Sequence, residues 1–129
     1  MKISKYLIKN KKQIFILLIL SIIIILIASG IDFLTHSLSE EYSVPSRYFP
    51  NKILYGGIFI FLSLLIFRKQ KPSDRAIIAS IITTLLLQVK YAIEGYPKDF
   101  VILFLFVHFT AILLPAWIIL NLFNKYTKN

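Results

Sequence analysis

The chain has 129 residues, of which 57% are hydrophobic and only 16% are charged, and its mean hydropathy is +0.76. Soluble domains carry about a quarter charged residues, and a small soluble fold could not bury this much apolar surface. The absence of cysteine excludes disulfides, thiolate metal sites, iron–sulfur clusters and cysteine nucleophiles. The net charge of +9 does not indicate nucleic-acid binding, because the basic residues lie at the ends of apolar runs, as membrane flanks do.

Four apolar segments follow one another along the chain. The first is an uncharged run of 18 residues from Ile14 to Ile31, long enough to cross ~30 Å of hydrocarbon as a helix. Open sheet edges are not tolerated in lipid and the runs do not alternate, so each segment is predicted to be helical. We therefore predict an all-α integral membrane protein, a four-helix transmembrane bundle in one domain spanning 1–129. The predicted helices cover about 14–36, 51–69, 74–93 and 100–123.

The distribution of basic residues predicts the orientation of this bundle. Lys and Arg are enriched in cytoplasmic loops, and most of them fall in the N-terminal segment, the second connection and the C-terminal tail. This pattern predicts a multi-pass cell-membrane protein with both termini in the cytoplasm. Of the 15 Lys and Arg residues, the opposite side holds only Arg47, Lys52, Lys90 and Lys98.

The start of the chain also fits a second template, that of a cleaved signal peptide. It has a basic N-terminal region, an apolar stretch over 14–27 and the small residues Ala28, Ser29 and Gly30. The apolar run is at the upper length limit for that template, and cleavage would remove the helix that places Asp32. An uncleaved first helix is therefore the preferred interpretation.

Polar residues within the spans predict an outward-facing pocket. At 1.5 Å per residue, Asp32 and Glu94 fall at one level near the outer surface, whereas Gln88 and His108 share a level inside the hydrocarbon. Ionisable residues at such depth are costly and face the bundle interior. We therefore expect a contact between Gln88 and His108, and a pocket formed by Asp32, His36, Gln88, Lys90, Glu94 and His108.

Four of these residues are candidate ligands for zinc or a similar divalent ion, because two imidazoles and two carboxylates form a suitable set. They are Asp32, His36, Glu94 and His108. Asp32 and His36 share a helix face if the first helix continues past Asp32. The ligands come from separate helices without a motif such as HExxH, so a purely structural alternative stays open. In that alternative Asp32 pairs with Lys90 or Arg47, and His108 donates to Gln88 or to a backbone carbonyl.

Two functions follow from these patterns. The first is a non-catalytic scaffold, accessory or transport-related subunit without a cofactor, with membrane lipids and a second copy or another membrane protein as partners. The second is a metal-assisted hydrolase or transferase acting on a lipid-like substrate at the outer surface. Small and polar residues at helical spacing are typical of the packing faces of membrane helices and need no active site, which favours the first.

Overall fold

The computed structural model describes the backbone of residues 2–127 and the side chains of residues 11–125. Within this part of the chain the structure is all-helical, with four α-helices and one short 3₁₀ turn at Glu40–Tyr42. The helices are α1 (Lys2–His36), α2 (Tyr48–Ile66), α3 (Pro72–Ile93) and α4 (Lys98–Thr127). Each of the four is long and apolar enough to cross a membrane.

The start of α2 differs from the predicted start at residue 51. The helix begins at Tyr48 and places Pro50 in its first turn. Proline is tolerated there, because the missing N–H would have had no partner within the helix. The shift adds a turn that carries Tyr48, and the helix ends at Ile66 rather than at residue 69.

The helices form an up-and-down bundle in which α1 packs on α2 and α4, and α3 packs on the same two helices. At one end, termed the His36 end, α1 and α3 end and α2 and α4 begin. At the other, termed the Arg75 end, α2 ends and α3 begins. The bundle interior contains small side chains such as Ala28 and Ala111 beside large ones such as Phe104, and further large apolar side chains such as Phe106 point outward.

Two glycines have particular roles in this packing. A Cβ on Gly56 would lie 2.6 Å from Cδ1 of Ile25, so its absence allows α1 and α2 to approach closely. Gly95 has φ +95° and ends α3 in the left-handed conformation. The N–H of Tyr96 then bonds to the carbonyl of Tyr91 at 3.2 Å, which completes a Schellman motif and holds the two tyrosines together.

Candidate functional site

A group of polar side chains lies inside the bundle at the His36 end, and all four helices contribute to it. α1 and α2 each supply a pair of residues at i, i+4 spacing, so that each pair projects from one helix face. Every member is buried. This group, called the polar cluster below, consists of Asp32, His36, Tyr48, Lys52, Gln88 and His108.

The Asp32 carboxylate is at the centre of the polar cluster and is fully buried. Its Oδ2 lies 2.8 Å from Nζ of Lys52, which is also 0% exposed. Its Oδ1 lies 3.2 Å from Nε2 of His108, and Oδ2 lies 3.3 Å from Nε2 of His36. Buried charges are tolerated when they are paired, so Lys52 is the counter-ion that allows Asp32 to remain in the interior.

The second nitrogen of each imidazole has a partner that fixes its tautomer. Nδ1 of His36 bonds to the backbone carbonyl of Tyr42, an oxygen that can only accept. Nδ1 of His108 lies 2.7 Å from Oε1 of Gln88. The Gln88 amide nitrogen donates to the Val101 carbonyl, which orients its oxygen toward His108. Both imidazoles therefore carry hydrogen on Nδ1, and both Nε2 atoms face the Asp32 carboxylate.

The polar cluster consequently holds more acceptors than donors. The Tyr48 hydroxyl lies 3.0 Å from Nε2 of His108 and 3.3 Å from Nε2 of His36, but its single hydrogen can satisfy only one of them. The Lys52 ammonium is engaged in the ion pair with Asp32. The Nε2 atom of the other imidazole receives no hydrogen from Tyr48. This atom can accept one further proton or bind a cation.

Aromatic rings cover the polar cluster at the His36 end of the bundle. The His36 ring stacks on Phe104 with centroids 4.2 Å apart and planes 4° apart. The Tyr48 ring stacks on Tyr91 at 5.0 Å, and Tyr91 contacts Tyr96 edge-on at 5.6 Å. These contacts exclude water from the Asp32–Lys52 pair, which strengthens the attraction between the two charges.

Three members of the polar cluster could hold a metal ion. Asp32, His36 and His108 each offer one ligand atom, and these atoms all lie within 4.8 Å of one another. The Nδ1 hydrogen bonds of both imidazoles are of the kind that orients metal-bound histidines. The Lys52 ammonium opposes such binding, because it already balances the one carboxylate of the group.

The structure places the six residues predicted for the pocket in two locations. Asp32, His36, Gln88 and His108 come together, and the expected contact between Gln88 and His108 is present. Among the described side chains, Glu94 is not part of the candidate metal group. Glu94 pairs instead with Lys90, which lies one turn earlier on α3. Nζ of Lys90 also lies 4.8 Å from the centroid of the Tyr55 ring.

The Lys90–Glu94 pair lies on a different face of α3 from Gln88. It lines an open pocket of about 580 Å³ between the start of α2 and the end of α3. The Tyr48 ring separates this pocket from the polar cluster, since Tyr48 lines the first and contacts both imidazoles of the second. We call the open pocket the Tyr48 pocket. Its polar lining also includes Arg47, Asn51 and Tyr96. Partial burial, together with the charge of Glu94, raises the pKa of the Tyr96 hydroxyl above its ordinary value.

Sequence reasoning missed two members of the polar cluster. Lys52 was assigned to the outer flank, and the partner expected for Asp32 was Lys90 or Arg47. The structure instead pairs Asp32 with Lys52. The sequence feature that indicates their burial is the i, i+4 spacing of Tyr48, Lys52 and Gly56. This spacing places all three on one buried face of α2.

No protein-family model, curated protein or solved structure matches this chain. The class defined by the fold and the site is therefore a bundle of four membrane-length helices with a buried, internally paired polar cluster at one end.

Proposed function

We propose that the chain is an integral membrane protein that crosses the cell membrane four times, with both termini in the cytoplasm. It acts as a non-catalytic scaffold, accessory or transport-related subunit. The candidate spans within these helices have 26, 19, 22 and 28 residues and meet the length requirement for crossing a membrane. Large apolar side chains on the outward faces of the bundle suit contact with acyl chains. The excess of Lys and Arg at the Arg75 end supports a cytoplasmic location for that end.

The observation that carries the non-catalytic role is the contact between Lys52 and Asp32. A cluster that contains its own counter-ion needs no external cation to be stable in a low-dielectric interior. In lipid, helices associate through close packing and interhelical hydrogen bonds. A junction with side chains from all four helices therefore favours one arrangement of the bundle. Such a fixed arrangement suits a subunit that presents the Tyr48 pocket to a ligand, a second copy or another membrane protein.

Membrane topology is the first part of the proposal to test. Because the chain has no cysteine, single cysteines can be introduced without competing thiols. Ser46→Cys and Lys98→Cys should react with an impermeant maleimide in intact cells. Lys71→Cys should react only after lysis, as should Lys128→Cys. Labelling of position 71 from outside would contradict the proposed orientation.

A second candidate function is a metal-assisted hydrolase or transferase for a lipid-like substrate at the outer surface. It is favoured by the convergence of three ligand atoms within 4.8 Å and by the surplus of acceptors around Asp32. Asp32, His36 and His108 would hold the ion, which when bound supplies Lewis-acid activation of an oxygen. Asp32 is the one carboxylate of this group and is already paired, so a divalent ion would leave two uncompensated charges in the interior. For this reason the candidate ranks second.

Elemental analysis of the purified protein separates the two functions. The non-catalytic proposal predicts no stoichiometric divalent metal in the wild type, even after incubation with zinc and gel filtration. The metal-dependent candidate predicts a stoichiometric ion that is lost in Asp32→Ala and in His108→Ala. It also predicts tighter retention in Lys52→Met, because that change removes the competing ammonium. Metal that follows this pattern would overturn the non-catalytic proposal.

A further inference from the structure

A second cleft lies at the Arg75 end of the bundle, far along the helices from the polar cluster. It has a volume of about 490 Å³ and is formed by the N-terminal parts of α1 and α3 together with the C-terminal parts of α2 and α4. Its walls combine three basic residues with apolar side chains. The residues that matter here are Lys12, Arg68, Arg75, Leu17, Leu65 and Phe123.

The charged residues that line this cleft are all basic. Lys12, Arg68 and Arg75 line it, and no carboxylate is present among the described residues of its wall. Two of the three arginines of the chain are found here. The planar guanidinium group binds phosphate through parallel hydrogen bonds, which an ammonium group cannot do. The cleft is therefore complementary to a phosphate group or to another compact anion.

The Arg75 guanidinium is only partly used by the protein. One terminal nitrogen donates to the carbonyl of Leu64 at 2.9 Å, which holds the side chain against the end of α2. The Nε atom is buried but has no hydrogen-bond partner in the described part of the chain. A buried donor without an acceptor is costly, so an anion that accepts from this group would remove that cost.

The apolar part of the cleft distinguishes a lipid from a free anion. Leu17 and Leu65 lie on its wall beside Phe123, which is 36% exposed. A soluble phosphate would leave these side chains against water. A phospholipid would cover them with its glycerol backbone and the first part of an acyl chain.

We propose that this cleft binds the head group of an anionic phospholipid of the cytoplasmic leaflet, with phosphate on Arg68, Arg75 and Lys12. The inference rests on the proposed membrane orientation, which puts the Arg75 end at that leaflet. Basic pockets between membrane helices on the cytoplasmic side are suited to such head groups. The apolar wall receives the proximal part of one acyl chain.

Native mass spectrometry of the full chain released from detergent micelles tests the inference. The protein is supplied with phosphatidylglycerol, with phosphatidylcholine or with inorganic phosphate. We expect retention of phosphatidylglycerol, weak retention of phosphatidylcholine and no retention of phosphate. Equal retention of the two lipids, or retention of phosphate as strong as that of phosphatidylglycerol, would overturn the proposal.

Neighbouring residues provide matched controls. Lys12→Gln and Arg68→Gln should each weaken phosphatidylglycerol binding about fivefold, because a basic residue near an anionic surface contributes ~1 kcal/mol. Lys11→Gln and Lys69→Gln remove the same charge from positions that do not line the cleft, and they should leave binding unchanged. These variants leave Arg75 and its bond to Leu64 intact, so the test does not depend on a residue that supports folding.

The outcomes distinguish this inference from the proposed topology. If both members of each pair weaken binding equally, the attraction is general and the proposed site is absent. If position 71 is labelled from outside while lipid selectivity persists in detergent, the orientation has failed and the cleft faces the other leaflet. If the topology holds and selectivity is missing, only the lipid site has failed.

Discussion

The two ends of the bundle differ in whether their charged side chains are paired with groups of opposite charge. At the His36 end, Asp32 and Lys52 are both fully buried and 2.8 Å apart, so the protein supplies both signs. At the Arg75 end, Lys12, Arg68 and Arg75 line a cleft whose described residues include no carboxylate. The two charges of the first arrangement balance each other, whereas the second arrangement is complementary to an anionic ligand.

This difference predicts that substitutions at the two ends have different effects. A buried pair is costly to separate, because removal of one partner leaves an uncompensated charge in the interior. A set of like charges at an open cleft costs little while the cleft faces water and is stabilised when an anion binds. Changes at the His36 end should therefore alter the stability of the protein itself. Changes at the Arg75 end should alter only its response to lipid.

The largest effect should come from removing one charge of the buried pair. Lys52→Met should lower the free energy of unfolding in mixed detergent micelles by roughly 3–5 kcal/mol, because Asp32 then lacks its counter-ion. Lys90→Met is the matched control, since Lys90 pairs with Glu94 but is 22% exposed. An exposed pair contributes about 0–1 kcal/mol. Equal losses in the two variants would contradict the comparison between buried and exposed pairs.

A smaller loss is expected when an imidazole loses the partner that fixes its tautomer. Gln88→Leu removes the acceptor for Nδ1 of His108 and the donor to the Val101 carbonyl. The buried N–H left behind should cost about 1–3 kcal/mol. Thermal unfolding of this variant, compared with a Val89→Leu variant on the exposed side of α3, measures the effect. Indistinguishable melting temperatures for the two would show that the hydrogen bond is unimportant.

Removal of the Tyr48 hydroxyl tests the donor balance of the polar cluster. Tyr48→Phe keeps the ring against Tyr91 but removes the hydrogen that one imidazole accepts, and should cost about 1 kcal/mol. Tyr55→Phe is the control, because Tyr55 lies on the same helix and is 40% exposed. Unfolding titrations should separate the two variants. A stabilised Tyr48→Phe protein would mean that the hydroxyl is not a donor in the cluster.

The smallest effect should occur at the other end. Arg68→Gln should leave the melting temperature in neutral detergent unchanged, because Arg68 is exposed and carries charge of the same sign as its neighbours. Added phosphatidylglycerol should raise the melting temperature of the wild type more than that of this variant. Equal increments would remove the distinction between the two ends.

The sequence predicted those features that depend on depth along a helix. The ends of α1 and α3 and the contact between Gln88 and His108 follow from hydrophobic length and helical rise. Features that depend on rotation about the helix axis were not predictable. Residues 88 and 90 point in directions about 160° apart on a helix, which is why Lys90 lines the Tyr48 pocket while Gln88 contacts His108.

The pairing of Lys52 with Asp32 was not predictable because it also depends on rotation about a helix axis. The start of α2 was expected after Pro50, which left Tyr48 in a connection and Lys52 at an exposed flank. In the structure Pro50 is part of the first turn, and the face that carries Tyr48 and Lys52 turns toward α1. A single sequence contains no signal for that rotation other than the spacing of these two residues.

Asp32 and Lys52 balance each other's charge in the interior of the bundle. A double-mutant cycle of Asp32→Asn, Lys52→Met and the combined variant tests this pairing most directly. We predict that the double variant is less destabilised than either single variant, because removing both charges leaves neither unpaired. The parallel cycle of Glu94→Gln and Lys90→Met should give a coupling of about 0–1 kcal/mol. Additive losses in the Asp32–Lys52 cycle would contradict this pairing, since they would mean that the two buried charges do not depend on each other.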